Sequence, residues 1–407
     1  MAQRSSRRAP AHPGLTGALE RHPAVGIAGA VVGLAAATTA VGVAVARIAT
    51  RRVRAERLSP GGALPEGASD AELREDDPLG AAARRADRTA QVQADDGVLL
   101  AVDEVGPLDA PLTVVFVHGY TLSMASWTYQ RRSLGAELAT ANGHRPTARL
   151  VFYDQRGHGS SSRGPAENST IEQLARDLAR VLEERVPEGP VVLVGHSMGG
   201  MTVMGLADLH PELFGTKVAG VALVSTSSGQ LADLDFGLPD FLTRVRAAVL
   251  PVAAWTMRRR PVFAERTRRL AADVVSAATW SLSFASTDVD PRLGRYVDAM
   301  IAGTPVDVIA EFYPALAGLD ETGALAPLRR VPTLVLTGDA DRMIPPAHSD
   351  TLVELLGGEG PAVEHVVVHD AGHLVTLEKP QEVTRALAGL VRRVAAETAR
   401  IRQEPGR

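Results

Sequence analysis

The stretch from Val191 to Gly200, which reads Val-Val-Leu-Val-Gly-His-Ser-Met-Gly-Gly, constrains this chain more than any other feature. Its first four residues are apolar and mostly β-branched, which is typical of a buried strand. The next five fit the pattern Gly-x-Ser-x-Gly, which marks a sharp strand-to-helix turn with a serine at its tip. The stretch therefore predicts a strand, a turn that presents Ser197, and a helix over about Met198–His210.

The two glycines of this motif have a steric reason. Gly195 and Gly199 lie two positions either side of Ser197, where the turn presses the backbone against the neighbouring strand and helix. The serine itself is expected to hold a strained backbone conformation. Because N–H groups at a helix N-terminus point toward the serine, the Met198 N–H is a candidate donor to a developing oxyanion. A chance match in a glycine-rich chain is the alternative, and the flanking strand and helix argue against it.

Composition narrows the chemistry further. The 407 residues, 45% of them hydrophobic, are enough for one large or two ordinary globular domains. The absence of cysteine excludes disulfides, thiolate metal sites and a cysteine nucleophile. The net charge of −4 is uneven, because residues 1–60 hold nine arginines against two glutamates. The basic tail and the acidic remainder are therefore expected to face different surroundings.

The basic tail contains an uncharged run of 23 residues, 24–46. As a helix this run would extend about 35 Å at about 1.5 Å per residue, enough for a hydrocarbon core of about 30 Å. We therefore expect residues 1–57 to carry a single membrane-spanning helix. The arginines that follow the run slightly favour a cytoplasmic body. A cleaved signal peptide that ends at Ala44-Val45-Ala46 and a soluble alanine-rich helix are the alternatives.

Residues 58–90 are rich in proline, glycine, alanine and charge, which predicts a linker. From about Gln91 onward, short apolar stretches alternate with helical ones. One predicted helix, 170–186, opens with the capping box Ser169-x-x-Glu172. The predicted strands are 98–105, 112–117, 150–153, 191–194, 218–224, 333–336 and 363–368. This alternation predicts a mostly parallel sheet covered on both faces, with a site at the carboxyl ends of its strands.

Two other strand ends carry polar motifs. The strand 112–117 leads into His118-Gly119-Tyr120, where the glycine lets the backbone turn so that the Tyr120 N–H can serve as a second oxyanion donor. An ordinary turn with a surface histidine is the alternative. The strand 150–153 leads into the loop 154–161, Asp-Gln-Arg-Gly-His-Gly-Ser-Ser. Its polar side chains make a poor metal cage, so we interpret this loop as scaffold.

Together these motifs resemble the α/β-hydrolase superfamily over roughly residues 98–395. The resemblance rests on His118-Gly119-Tyr120, the loop 154–161, Gly195-His-Ser-Met-Gly199, Gly338-Asp-Ala-Asp341 and Ala371-Gly372-His373, in that order. It implies an eight-stranded, largely parallel sheet in a catalytic domain over 91–400. It also implies a triad in the order Ser197, Asp341, His373, an oxyanion hole formed by the Met198 and Tyr120 N–H groups, and no metal or organic cofactor.

The acid of this triad has three candidates. Asp339 and Asp341 both follow the strand 333–336, and Asp370 lies three residues before His373. The family pattern Gly-x-x-Asp favours Asp341. Asp339 is expected to hydrogen-bond loop N–H groups and shape the turn.

About 105 residues without a good strand separate the strands 218–224 and 333–336. They predict a helical cap over the site, at about 228–325. The arginine-rich stretch 258–269 predicts a solvated face, with a membrane-facing lid as the alternative. Apolar residues of the cap are candidates either for an acyl pocket or for the cap's own core: Phe236, Leu238, Phe241, Leu242, Leu250, Trp255, Met257 and Phe263.

These features predict a serine hydrolase that cleaves carboxylic esters, with apolar acyl chains, through an acyl-enzyme. A C–C bond hydrolase or a cofactor-free perhydrolase on the same triad is an open alternative, because the shape of the cap decides between them. A non-catalytic, membrane-tethered ligand-binding protein is a third hypothesis, against which the intact triad argues. The expected partner is a small-molecule ester and not a nucleic acid. The oligomeric state is left open.

Overall fold

A computed structural model describes residues 77–80, 83, 85–138, 148–231, 255, 258–260, 262, 264–265, 272–286, 288–357 and 363–403. The predicted membrane span at 24–46 lies outside these residues, and so does most of the predicted linker. None of the helices in the described ranges combines the length and the apolar character that a membrane span requires.

Eight strands form one sheet in the order β1-β2-β4-β3-β5-β6-β7-β8. β1 and β2 pair antiparallel with each other, β2 pairs antiparallel with β4, and every other pairing is parallel. The predicted mostly parallel sheet is therefore confirmed. The strands are β1 (Arg88–Gln93), β2 (Leu99–Val105), β3 (Leu112–Val117), β4 (Ala148–Tyr153), β5 (Val191–His196), β6 (Val218–Val224), β7 (Thr333–Gly338) and β8 (Val363–Val368).

The body of the protein begins earlier than the sequence indicates. β1 starts at Arg88, inside the stretch predicted as a linker, and Arg88 lies opposite Glu104 of β2. Pro78, farther upstream, also contacts the body: its carbonyl accepts a hydrogen bond from the Thr128 hydroxyl at 2.7 Å. β1 lacks an apolar pattern because Val92 is its only buried residue, so its sequence does not distinguish this edge strand from a polar linker.

Helices cover both faces of the sheet, as predicted. One face packs against α1 (Thr128–Glu137) and α9 (Pro380–Gln403), and the other against α2 (Ile171–Arg185), α3 (Met198–Leu209) and α7 (Pro346–Leu356). A short helix, α8 (Val375–Glu378), precedes α9. Side chains of the central strands are buried whichever face of the sheet they point to, which explains the near-continuous apolar runs in the sequence.

The first turn of α2 differs from the prediction by one residue. The N-cap is Thr170, whose side chain accepts a hydrogen bond from the Gln173 N–H at 3.1 Å. The predicted cap, Ser169, lies one position earlier. Both positions carry a hydroxyl, so the motif alone does not select between them.

The described residues between β6 and β7, where the sequence predicts the cap, include three α-helices: α4 (Ala272–Ser283), α5 (Pro291–Gly303) and α6 (Val306–Ala317). Of the apolar residues proposed for an acyl pocket, Trp255 is described and is 53% exposed. The other seven lie outside the described residues. Arg258, Arg259 and Arg260 are exposed, as expected for a solvated face.

Candidate active site

The Gly-x-Ser-x-Gly motif forms the turn between β5 and α3. β5 ends at His196, α3 begins at Met198, and Ser197 between them has φ 54° and ψ −120°. A positive φ is uncommon for a residue with a Cβ, and such strain is found mostly at functional sites. The Ser197 N–H donates to the Val224 carbonyl at 2.9 Å, and the Thr226 hydroxyl donates to the Ser197 carbonyl at 2.7 Å. The strained residue is thus held from the β6 side.

The two glycines of the motif allow this close packing. A Cβ on Gly195 would overlap the Gly199 carbonyl, and a Cβ on Gly199 would overlap the Val117 carbonyl of β3. Both obstacles are backbone atoms, which cannot rotate away as a side chain can. The predicted steric reason for the glycines is therefore confirmed.

His373 connects the candidate nucleophile to the candidate acid. Its Nε2 lies 3.0 Å from Ser197 Oγ, and its Nδ1 lies 2.9 Å from Asp341 Oδ2. Because a carboxylate only accepts, Nδ1 carries the proton and Nε2 is left to accept the serine proton. The three residues are 8%, 4% and 4% exposed for Ser197, Asp341 and His373. The structure thus brings together the three residues that the resemblance names.

The loop after β7 holds Asp341 in place by hydrogen bonds to the second carboxylate oxygen of that residue. Oδ1 accepts hydrogen bonds from the Met343 and Ile344 N–H groups, each at 2.9 Å. Hydrogen bonds from two backbone donors fix the carboxylate plane, so Oδ2 is aimed at the imidazole of His373.

The other two acid candidates lie elsewhere. Asp339 Oδ2 is 3.1 Å from His369 Nδ1 on the surface, and its carboxylate also accepts the Ala371 N–H. These contacts lower the pKa of Asp339 despite its partial desolvation. Asp370 has φ 51° in the turn that leads to His373. Asp339 therefore shapes the loop, as the sequence indicates.

The loop that carries His373 is held by two side chains that the sequence analysis missed. Glu378 accepts the Gly372 N–H at 2.7 Å and the Ala285 N–H at 3.0 Å, so that it joins this loop to the end of α4. Burial raises the pKa of the Glu378 carboxyl. His196 Nε2 lies 2.9 Å from the His373 carbonyl and donates to it. No local motif marks either role, because Ala285 is 93 residues from Glu378 and His373 is 177 residues from His196.

The two predicted oxyanion donors flank the serine. Met198 is the first residue of α3, and Gly119 approaches so closely that an added Cβ would lie 3.1 Å from Ser197 Cβ. Within the described part of the chain, neither the Met198 nor the Tyr120 N–H has a hydrogen-bond acceptor. Such unpaired N–H groups beside a nucleophile can stabilise a negative oxygen. The Tyr120 hydroxyl donates to the Ile309 carbonyl of α6, and burial raises the pKa of that hydroxyl.

Three buried histidines surround this turn: His118, His158 and His196. Burial lowers the pKa of His118 to about 3, of His158 to about 4 and of His196 to about 3. His118 accepts the Gln155 N–H at 2.9 Å through Nε2 and donates to the Gly119 carbonyl through Nδ1. These rings are therefore neutral at physiological pH and act as fixed packing and hydrogen-bonding groups.

The loop after β4 is a scaffold, as predicted from its sequence. The Asp154 carboxylate accepts the Met124 and Ser160 N–H groups, each at 2.7 Å. Arg156 is 2% exposed and forms two hydrogen bonds to Asp177, each at 2.7 Å. Among the residues that the structure describes, no group of three histidine, aspartate or glutamate side chains could hold a metal ion.

Helix α6, in the segment predicted as the cap, is tied to the body beside Tyr120. Arg163 forms ion pairs with Asp307 at 2.6 Å and Glu311 at 2.7 Å, both on α6. Gly157, at φ +74°, packs against Val308 of the same helix at a distance that leaves no room for a Cβ. α6 is therefore held against the loop after β4 and, through the Tyr120 hydroxyl, against the loop after β3.

Comparisons with known proteins agree with this geometry. A sequence profile described as the alpha/beta hydrolase fold matches residues 113–380. Among solved structures, a thermophilic esterase from Thermogutta terrifontis superposes with a TM-score of 0.58 at 25% identity, over 75% of this chain and 99% of that one.

Two sequence relatives extend the comparison. Lipase LipV from Mycobacterium tuberculosis is 29% identical over 293 residues, which is 71% of this chain and 96% of the lipase. A Bacillus subtilis protein that carries the provisional name 2-succinyl-6-hydroxy-2,4-cyclohexadiene-1-carboxylate synthase is 32% identical over 197 residues. That match spans 46% of this chain and 64% of the Bacillus protein, less than two thirds of its length.

Proposed function

The chain belongs to the α/β-hydrolase family and is an enzyme of its esterase- and lipase-like kind, and from this premise we propose that it cleaves carboxylic esters through an acyl-enzyme. The observation that carries the proposal is the pair of hydrogen bonds on His373, 3.0 Å to Ser197 Oγ and 2.9 Å to Asp341 Oδ2. A serine hydroxyl is a poor nucleophile until a neutral imidazole accepts its proton, and this arrangement supplies that base.

In the first half-reaction, Ser197 Oγ attacks the ester carbonyl carbon while His373 Nε2 takes the hydroxyl proton. The carbonyl oxygen becomes an oxyanion, which accepts hydrogen bonds from the Met198 and Tyr120 N–H groups. The Asp341 carboxylate stabilises the imidazolium that has formed. The imidazolium then protonates the leaving alkoxide, which departs as the alcohol and leaves the acyl group on Ser197.

In the second half-reaction, a water molecule replaces the alcohol. His373 takes a proton from the water as its oxygen attacks the acyl carbon, and the same two N–H groups hold the second oxyanion. Collapse of that intermediate breaks the bond to Ser197 Oγ, which recovers its proton from His373. The products are a carboxylic acid, an alcohol and the free enzyme, with no metal or organic cofactor in any step.

The substrate part of the proposal is an ester with an apolar acyl chain. Support comes from the esterase and lipase among the similar proteins and from the apolar composition of the cap sequence. A series of p-nitrophenyl esters of increasing acyl length measures this preference directly. A decline in kcat/KM from the acetate onward would contradict the apolar acyl site without affecting the triad.

A fluorophosphonate probe tests the mechanism. The reagent should add one phosphonyl group to the wild-type chain, read by intact mass, and none to Ser197→Ala. The substitution should also lower kcat by a factor on the order of 10⁶. Ester turnover that survives near the wild-type level in folded Ser197→Ala would refute the mechanism. Labelling without turnover of any ester would favour C–C bond cleavage on the same triad.

A further inference from the structure

A second serine and histidine lie in contact outside the triad. Ser227 follows the end of β6, and His348 lies in the first turn of α7. The distance between Ser227 Oγ and His348 Nδ1 is 2.8 Å. Ser227 is 1% exposed, whereas His348 is half-buried. The reaction proposed above uses neither residue.

Both residues lie at the carboxyl edge of the sheet, on the side of Ser197 where the loop with Asp341 lies. Thr226, which precedes Ser227, donates its hydroxyl to the Ser197 carbonyl at 2.7 Å. α7 directly follows the loop that carries Asp341. Burial lowers the pKa of His348, and the charge of Asp341 offsets only part of that effect. The pair therefore adjoins the triad.

The hydrogen bonds of Ser227 determine the tautomer of His348. Ser227 Oγ lies 2.6 Å from the Gly229 carbonyl oxygen, and an oxygen pair at that distance requires the hydroxyl to donate. The same oxygen accepts the Gly229 N–H at 3.0 Å. Since the single hydroxyl proton is used, His348 Nδ1 must carry the proton that lies between the two side chains.

This tautomer excludes Ser227 as a nucleophile and leaves His348 as a hydrogen-bond acceptor. Ser227 is not an activated nucleophile, because its proton points to a carbonyl and not to the imidazole. With Nδ1 protonated, neutral His348 has a lone pair on Nε2, which is a hydrogen-bond acceptor. Across the described ranges, no protein group bonds to that nitrogen. The half-buried His348 thus keeps an acceptor nitrogen that no described protein group uses.

We propose that His348 Nε2 forms a polar subsite that accepts a hydrogen bond from a hydroxyl group of the substrate, so that the enzyme prefers hydroxylated esters. The inference rests on the proposed ester hydrolysis, since it concerns the substrate of that same site. A carboxylate in this position would meet the lone pair of Nε2 and the negative charge of Asp341, and both repel it. The subsite therefore selects neutral donors over acids.

Matched ester pairs test the subsite. On the acyl side the pair is p-nitrophenyl butyrate and p-nitrophenyl 3-hydroxybutyrate, and on the alcohol side it is ethyl butyrate and 2-hydroxyethyl butyrate. Each kcat/KM is divided by the alkaline hydrolysis rate of the same ester, which removes intrinsic reactivity. In one of the pairs, the wild-type enzyme should favour the hydroxylated ester by about 3- to 10-fold, the usual effect of one neutral hydrogen bond.

His348→Phe, which keeps a ring but has no acceptor, should bring that ratio to about 1. The matched control is His210→Phe, at a histidine outside the site whose side chain is 41% exposed, which should leave the ratio at the wild-type value. If His348→Phe does not fold by circular dichroism, Ser227→Ala takes its place. Without the Ser227 contact Nε2 is protonated part of the time, so the ratio should fall.

A ratio near 1 in the wild-type enzyme for both pairs would overturn the proposal. A preference that persists in folded His348→Phe, or in Ser227→Ala where that variant replaces it, would also overturn it. These outcomes differ from a failure of the proposed function, in which the wild-type enzyme hydrolyses neither member of a pair and the fluorophosphonate does not label Ser197.

Discussion

Asp341→Asn should disable the catalytic base, His373, by changing the tautomer of its imidazole. Asp341 Oδ1 accepts the Met343 and Ile344 N–H groups at 2.9 Å each. The asparagine keeps both bonds only if its amide oxygen takes that position, which turns its NH₂ group toward His373 Nδ1. An amide NH₂ donates, so Nδ1 must accept and the proton moves to Nε2. His373 Nε2 would then donate toward Ser197 Oγ and could not take its proton.

The size of the expected loss in kcat also follows from these hydrogen bonds. The amide can rotate so that its oxygen faces His373, but the two backbone N–H groups then lose their acceptor at about 1 to 3 kcal/mol each. That conformer is therefore roughly 10² to 10⁴ times rarer. The equivalent change in a serine protease lowers kcat by about 10⁴. We expect Asp341→Asn to lower kcat by roughly 10² to 10⁴, with an unchanged fold.

Asp339→Asn is the matched control, because Asp339 lies on the same loop and pairs with surface His369. It should lower kcat by less than about tenfold. Both variants are measured on a saturating short-chain p-nitrophenyl ester, with circular dichroism and thermal melting as checks of folding. A Asp341→Asn variant within tenfold of wild type, or a larger loss in folded Asp339→Asn, would refute the tautomer argument.

Three further predictions follow from contacts in the structure, and a fourth follows from the sequence of the basic tail. Gly199→Ala should lower the free energy of unfolding by about 3 kcal/mol, since its Cβ would overlap the Val117 carbonyl; an unchanged melting temperature would contradict this. Acidification from about pH 7 to about pH 4 should lower the free energy of unfolding, because the buried His118, His158 and His196, with pKa values lowered to about 3, 4 and 3, stay neutral in the folded protein and bind protons once it unfolds; a free energy of unfolding that does not fall over this range in denaturant titrations would contradict this. Glu378→Gln should lower kcat by about 3- to 30-fold with little change in KM, since one of its two acceptor oxygens is lost, while exposed Glu382→Gln leaves kcat at the wild-type value; equal effects would remove the positioning role. Full-length protein should sediment with membranes through residues 24–46 and a chain that starts at about residue 72 should be soluble and active; uncleaved full-length protein found wholly in the soluble fraction would rule out the anchor.

The sequence by itself determines the features whose cause is local. The apolar run of β5 and the glycines around Ser197 are contiguous, so their steric requirement is visible in one short stretch. The parallel order of the later strands follows from the same alternation of apolar strands and helices. β1 escapes this reasoning because its only buried residue is Val92. An edge strand of that composition forms because β2 offers it a partner, which composition does not reveal.

The tertiary structure decides which distant residues meet. Asp339 and Asp341 follow the same strand. The path of the loop after β7 decides that Asp341, and not Asp339, contacts the imidazole of His373. The contact of Ser227 with His348, 121 residues away, has no motif, and neither has that of Glu378 with Ala285, 93 residues away. Such contacts depend on how the sheet and cap pack, and many sequences satisfy the local pattern of each element. For that reason the triad can be proposed from the chain alone, whereas the groups that orient it and the subsite beside it come only from the fold.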